Sequence, residues 1–200
     1  FLGFGDPIFS HRQAKATTVD ANRDKAVLRS SPSTRSVTQA DLASLPPLPD
    51  TRREIVSIAA SLGADTREDV VLGLSATERA VLSKDTSRYR YVSFATHGLV
   101  PGDLNGLMSP ALALTNPEVT NSSEGDGLLT PDEIQSLSLN ADLVVLSACN
   151  TAGATGAEAL SGLGRAFFYA GAQSLLVSNW PVHSESTTSL MVGFFNTLSD

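Results

Sequence analysis

Asp142-Leu143-Val144-Val145-Leu146-Ser147-Ala148-Cys149-Asn150-Thr151 is the stretch that decides the fold. Its apolar run has no polar alternation, as expected of a strand buried on both faces of a parallel sheet. Small polar residues follow at once, so the chain leaves the core at Cys149, the only cysteine. A second run, Tyr91-Val92-Ser93-Phe94-Ala95-Thr96-His97-Gly98, ends in the same way on a histidine. The carboxyl edge of a parallel sheet is where ligands and chemistry are found. A thiol and an imidazole brought to that edge are the minimum parts of a cysteine nucleophile and its base.

Working outward, Phe1-Leu2-Gly3-Phe4-Gly5 and Val70-Val71-Leu72 read as short strands, and so do Ala111–Leu114 and Ser174–Trp180. Thr51 and Glu54 predict a capping box for a helix to Leu62, with Ile55, Ile58, Ala59 and Leu62 on one face. Ser75-Ala76-Thr77-Glu78 predicts a second box, and Thr130-Pro131-Asp132-Glu133 a third with proline in the first turn. Gly98–Asn105 and Asn116–Gly127 read as loops. Helices are expected over about 157–170 and 185–198, with Gly162 and Gly164 permitting close packing on the sheet. Strands alternating with helices give an α/β fold, a mostly parallel sheet covered on both faces. Residues 10–49 lack periodicity and end in Leu45-Pro46-Pro47-Leu48-Pro49, so they are expected to form an exposed insertion, ordered weakly if at all.

The 200 residues suffice for one domain that needs no disulfide or metal to hold its core. A net charge of −7 without a Lys/Arg cluster argues against a nucleic-acid partner. No apolar stretch is long enough to span a membrane. One cysteine excludes an internal disulfide and a multi-cysteine zinc site, and fits a reducing, cytoplasmic setting. The chain opens on Phe1 rather than Met, so it is expected to be part of a longer protein.

Each candidate has a plainer reading. A free cysteine often fills core volume. Against this, Cys149 is followed by a Gly/Ala/Thr loop and a helix, whose first N–H groups favour a thiolate. His97 could serve only as a hydrogen-bonding strand end, although Gly98 would permit a tight turn leaving the ring in the crevice. His183, after Trp180-Pro181, competes as the base, whereas His11 lies in the aperiodic segment. Gly153-Ala154-Thr155-Gly156 could cradle an anion, but no Gly-Lys-Ser/Thr follows, so it is not a P-loop. Asp126, Asp132 and Glu133 read as solvated or capping acids.

Phe94-Ala95-Thr96-His97-Gly98, Leu143–Thr151 and Ser178-Asn179-Trp180-Pro181-Val182 together resemble the CHAT family of caspase-like peptidase domains. Gly3–Pro7, Pro49–Glu54, Asp126–Thr130 and Arg165–Ala172 add to the resemblance, in order over nearly the whole chain. The separation of His97 from Cys149, 149 − 97 = 52 residues, agrees with the spacing of about 50 in caspases.

The resemblance implies a caspase-like three-layer α/β/α fold and a cofactor-free cysteine endopeptidase. It makes His97 the acid/base and Cys149 the nucleophile, with the backbone N–H groups of Gly98 and Cys149 binding the oxyanion. It also implies a protein or peptide substrate, and a tetratricopeptide-repeat region or other regulatory partner outside the chain. Many family members carry two acids after Trp-Pro-Val, where the related separases bind a basic P1 side chain. Here His183-Ser184 stand instead, so Trp180, His183, Glu185 and Asp103 become the candidate substrate contacts. The rival functions are a catalytically silent interaction module and a small-molecule enzyme holding phosphate at Gly153–Gly156.

Overall fold

The computed structural model of the protein describes residues 1–17, 41–147, 157–177 and 184–199. The elements run β1 (Leu2–Gly5), α1 (His11–Thr17), α2 (Pro49–Ser61), β2 (Val70–Leu72), α3 (Glu78–Ser83), β3 (Tyr91–Ala95), β4 (Gly98–Leu99), β5 (Ala111–Ala113), α4 (Pro117–Thr120), β6 (Leu128–Leu129), α5 (Pro131–Ser136), β7 (Leu143–Leu146), α6 (Ala157–Tyr169), β8 (Leu175–Val177) and α7 (Ser184–Ser199). Five strands pair in parallel in the order β2-β1-β3-β7-β8. The chain steps from β1 to β2 on one side and returns to β3 on the other. The order therefore reverses at the β1/β3 pair, which is where a doubly wound sheet opens its crevice.

Alternate residues of each strand face opposite layers. On one face Val145 packs with Ile58 of α2 and with Met191 and Phe195 of α7. On the other, Phe4 stacks on Phe94 at 5.1 Å, and Phe94 meets Phe167 of α6 at 5.6 Å. The result is an α/β/α sandwich, as expected from the apolar runs. Helix α2 lies so close to β1 that a Cβ on Gly3 would stand 2.5 Å from Ile55 Cγ2. Gly164 meets Leu175 of β8 at 3.2 Å in the same sense, whereas Gly162 has only an ordinary contact with Pro110.

Several local expectations give way to tertiary contacts. Helix α2 begins at Pro49, so Thr51 is not its cap: Thr51 Oγ1 donates to Leu48 O and accepts from Asp6 N, and Glu54 is buried. Thr77, not Ser75, caps α3 through Ala80 N. The box at Thr130 and Glu133 forms as read. Two-residue strands β4 and β6 flank β5 in a separate antiparallel sheet, where sequence gave loop or no strand.

The exposed insertion expected over 10–49 does not extend through its carboxyl end. Leu42, Leu45 and Leu48 are buried, and the first two join a cluster with Phe9, Leu99 and Leu128. Leu42 opens a 3-10 turn in which Leu45 N donates to Leu42 O at 3.1 Å, and the proline-rich stretch that follows runs into α2, where Thr51 N donates to Leu48 O at 3.1 Å. Residues 18–40 lie outside the described residues.

Candidate active site

His97 follows β3 after one residue and is 2% exposed. Its main chain is fixed on the small sheet: Ala113 N donates to His97 O at 2.9 Å, and Thr96 Oγ1 donates to Ala113 O. Its ring packs against Phe9 with centroids 5.5 Å apart. Nε2 lies 2.9 Å from Pro46 O. A carbonyl can only accept, so Nε2 carries a proton, and in the neutral form of the ring this places the lone pair on Nδ1. The imidazole is thus oriented through one nitrogen by a backbone carbonyl, the arrangement a nucleophile–base–orienter series requires.

Gly98 is not a turn. It lies in β4 opposite Leu112, next to the His97–Ala113 hydrogen bond. Hydrogen-bonded and non-bonded pairs alternate in an antiparallel ladder, so the Gly98 N–H is directed away from β5. Asp103 closes the turn after β4: its Oδ2 accepts from Val100 N at 2.9 Å, and its own N donates to Val100 O at 3.0 Å. His11 is exposed on α1. Glu185 stands in the first turn of α7, and its side chain lies outside the described residues. Cys149, Trp180, His183 and the Gly153–Gly156 loop also lie outside them.

The structure adds Phe9 and Pro46 to the histidine's surroundings. Neither carries chemistry in its side chain, and a backbone carbonyl leaves no signature of residue type. The usable signal was Leu45-Pro46-Pro47-Leu48-Pro49, whose leucines and prolines fit an anchored extended segment better than disorder.

Two acidic groups near the strand ends are perturbed. Asp6, after β1, is pushed up by burial, and the charge and hydrogen bond of Arg52 pull it partly back. Arg52 Nη2 lies 2.8 Å from Asp6 Oδ2. Glu78 is pushed up chiefly by burial, with the neighbouring Glu133 adding to the shift and backbone N–H groups of Gly127 and Asp126 opposing it.

A cleft of about 770 Å³ lies between Leu42, Leu107, Met108 and the acids Asp41, Glu118 and Asp126. Among the described residues, none of the candidate site residues (His97, Gly98, Asp103) lines it. Among the described residues, no cluster of three or more His, Cys, Asp or Glu side chains could hold a metal ion, and no helix is long and apolar enough to cross a membrane.

Part of the chain is similar to tetratricopeptide repeat protein 28 of Mus musculus, 29% identical over 181 residues. The match covers 76% of this chain and 7% of the mouse protein. The chain therefore spans a small fraction of that relative's length. No solved structure matches at a significant level. The sequence model of the CHAT domain matches residues 4–200, and its caspase-like architecture agrees with the parallel sheet and its two helical layers. With nearly the whole chain covered, this protein belongs to the CHAT domain family.

Proposed function

We propose that this CHAT domain is a cysteine endopeptidase in which His97 and Cys149 form the dyad. The observation that carries the reading is the register of β3 on β7. Tyr91 pairs with Leu143 and Phe94 with Leu146, a constant offset of 143 − 91 = 52 residues. Ser147 N continues the ladder by donating to Phe94 O at 2.9 Å. His97 and Cys149 differ by the same 52 residues. Two chains leaving adjacent parallel strands at equal register are suited to deliver their side chains to one edge.

In this reading the thiol proton passes to His97 Nδ1, and the thiolate sulfur attacks the scissile carbonyl. The tetrahedral intermediate collapses with cleavage of the C–N bond, and the imidazolium returns the proton to the leaving amine. Water then hydrolyses the thioester, with His97 as the base. Pro46 O steadies the imidazolium through Nε2–H. The N–H groups of Gly98 and Cys149 are the proposed oxyanion donors, a contribution of about 3–4 kcal/mol where such donors are present. Trp180, His183, Glu185 and Asp103 are the proposed substrate contacts, and the separase-type preference for a basic P1 residue is not part of the reading.

By analogy with the mouse relative, a tetratricopeptide-repeat region is the proposed regulatory partner. Digestion of an unbiased peptide library, with Cys149→Ala as the control, tests the enzyme. Cleavage products that disappear in the variant are expected. If the same biological output persists in Cys149→Ala without cleavage, the domain signals by contact instead.

A further inference from the structure

Two separate stretches of chain hold the His97 ring: Phe9 by packing at 5.5 Å and Pro46 by its carbonyl at 2.9 Å. They are held in different ways. The Phe9 stretch is tied to the loop after β5, where Ile8 N donates to Thr115 Oγ1, Asn116 N to Ile8 O and Asn116 Nδ2 to Phe9 O, each at 3.0 Å. Pro46 belongs to neither helix nor strand, and both it and Pro47 lack the N–H that could bond to a neighbour.

One side chain joins the two stretches. Gln13 Oε1 accepts from Phe9 N at 2.7 Å, and Gln13 Nε2 donates to Leu45 O at 2.8 Å. Leu45 immediately precedes Pro46, so the second bond fixes the peptide next to the carbonyl that orients His97. Helix capping accounts for part of this: Ser10 Oγ accepts from Gln13 N at 3.3 Å, and Oε1 reaches back along the chain. Capping does not account for Nε2 on Leu45 O, which lies 32 residues away in sequence. The position needs a donor and an acceptor at one reach. Glutamate at neutral pH supplies acceptors only, and methionine supplies no donor.

We propose that Gln13 is a positioning residue for His97. By stapling Phe9 to Leu45 it sets the Pro46 carbonyl against Nε2 and so fixes which ring nitrogen carries the proton. Its consequence for catalysis rests on the dyad reading above; its effect on the ring does not.

The test records imidazole ¹⁵N spectra of the whole protein and of Gln13→Glu and Gln13→Met. His97→Gln identifies the His97 signals among the three histidines. His97 is expected as the Nε2–H tautomer in the parent protein, and as a mixture or the other tautomer in both variants. With a peptide substrate in hand, kcat is expected to fall about 10-fold and KM to stay within about 2-fold. Unchanged His97 signals in both variants overturn the proposal. Loss of the fold in the near-isosteric Gln13→Glu also overturns it, because Gln13 would then hold the structure rather than the ring. A shifted tautomer in a protein that cleaves no peptide leaves the staple standing and removes the peptidase reading.

Discussion

Pro46 O and His97 Nε2 stand 2.9 Å apart, linking a proline-rich segment to the carboxyl end of β3 across 51 residues of sequence. The bond makes a backbone atom the orienter of the ring, a role no mutation of Pro46 deletes directly. It can be probed from the histidine. In His97→Gln a side-chain N–H can still meet the Pro46 carbonyl, so the melting temperature is expected to stay within a few degrees of the parent. His97→Ala removes the imidazole donor from the half-buried Pro46 carbonyl and leaves a void beside Phe9, at a cost of about 1–3 kcal/mol. Both abolish peptide cleavage if His97 is the base. Thermal melts separate the variants, and equal stability would mean that the bond contributes nothing to the fold.

The scaffold was more legible in sequence than this site. Strands β1, β3, β7 and β8 are apolar runs that reveal themselves without periodicity, and Thr130 with Glu133 supplies a complete cap. Strands β4 and β6 contain two residues each, too few to show any period. Thr51 and Glu54 have the spacing of a box, but the Pro49 start and the demand of Asp6 N for a partner reassign Thr51. His97 was legible because imidazole at a strand end is chemically distinctive. Pro46, Phe9 and Gln13 were not, because they act through a carbonyl, a ring face and an amide whose partners lie far away in sequence.

The Asp6–Arg52 pair sets a pH-dependent term at the carboxyl end of β1. Asp6 is buried at a positive φ of 52°, and Arg52 contributes both Nε and Nη2 to its Oδ2, at 2.9 and 2.8 Å. Because burial raises the Asp6 pKa, its contribution to stability is full below the ordinary aspartate value and is lost as pH rises through the raised one. Arg52→Gln removes the cation that limits that loss. At pH about 7 the variant is expected to be less stable by about 1–3 kcal/mol, and the deficit should shrink as pH falls toward about 4. Urea unfolding at several pH values measures this. A deficit that does not change with pH would assign Arg52 a packing role.

Glu78 makes the corresponding case at the other sheet. Its Oε2 accepts from Asp126 N and Gly127 N, both at 2.9 Å, which pins the turn entering β6 against α3. Glu133, at the head of α5, uses its own Oε2 on Thr130 N and Thr130 Oγ1. Burial is the main cause of the raised Glu78 pKa, and the Glu133 carboxylate adds to it. The sign follows: Glu78 stabilises the fold fully below the ordinary glutamate value, and that contribution is lost as pH rises through the raised pKa. Glu78→Gln keeps an oxygen for the two N–H groups, gains an N–H for Glu133 and cannot ionise. Its stability is therefore expected to vary less with pH than that of the parent, with the variant equal or better at neutral pH and losing this advantage on acidification. Melts between pH about 4 and 8 test the expectation. If the parent and variant curves run parallel over that range, charge on Glu78 is not what limits this corner of the fold, and the two backbone hydrogen bonds alone account for its burial.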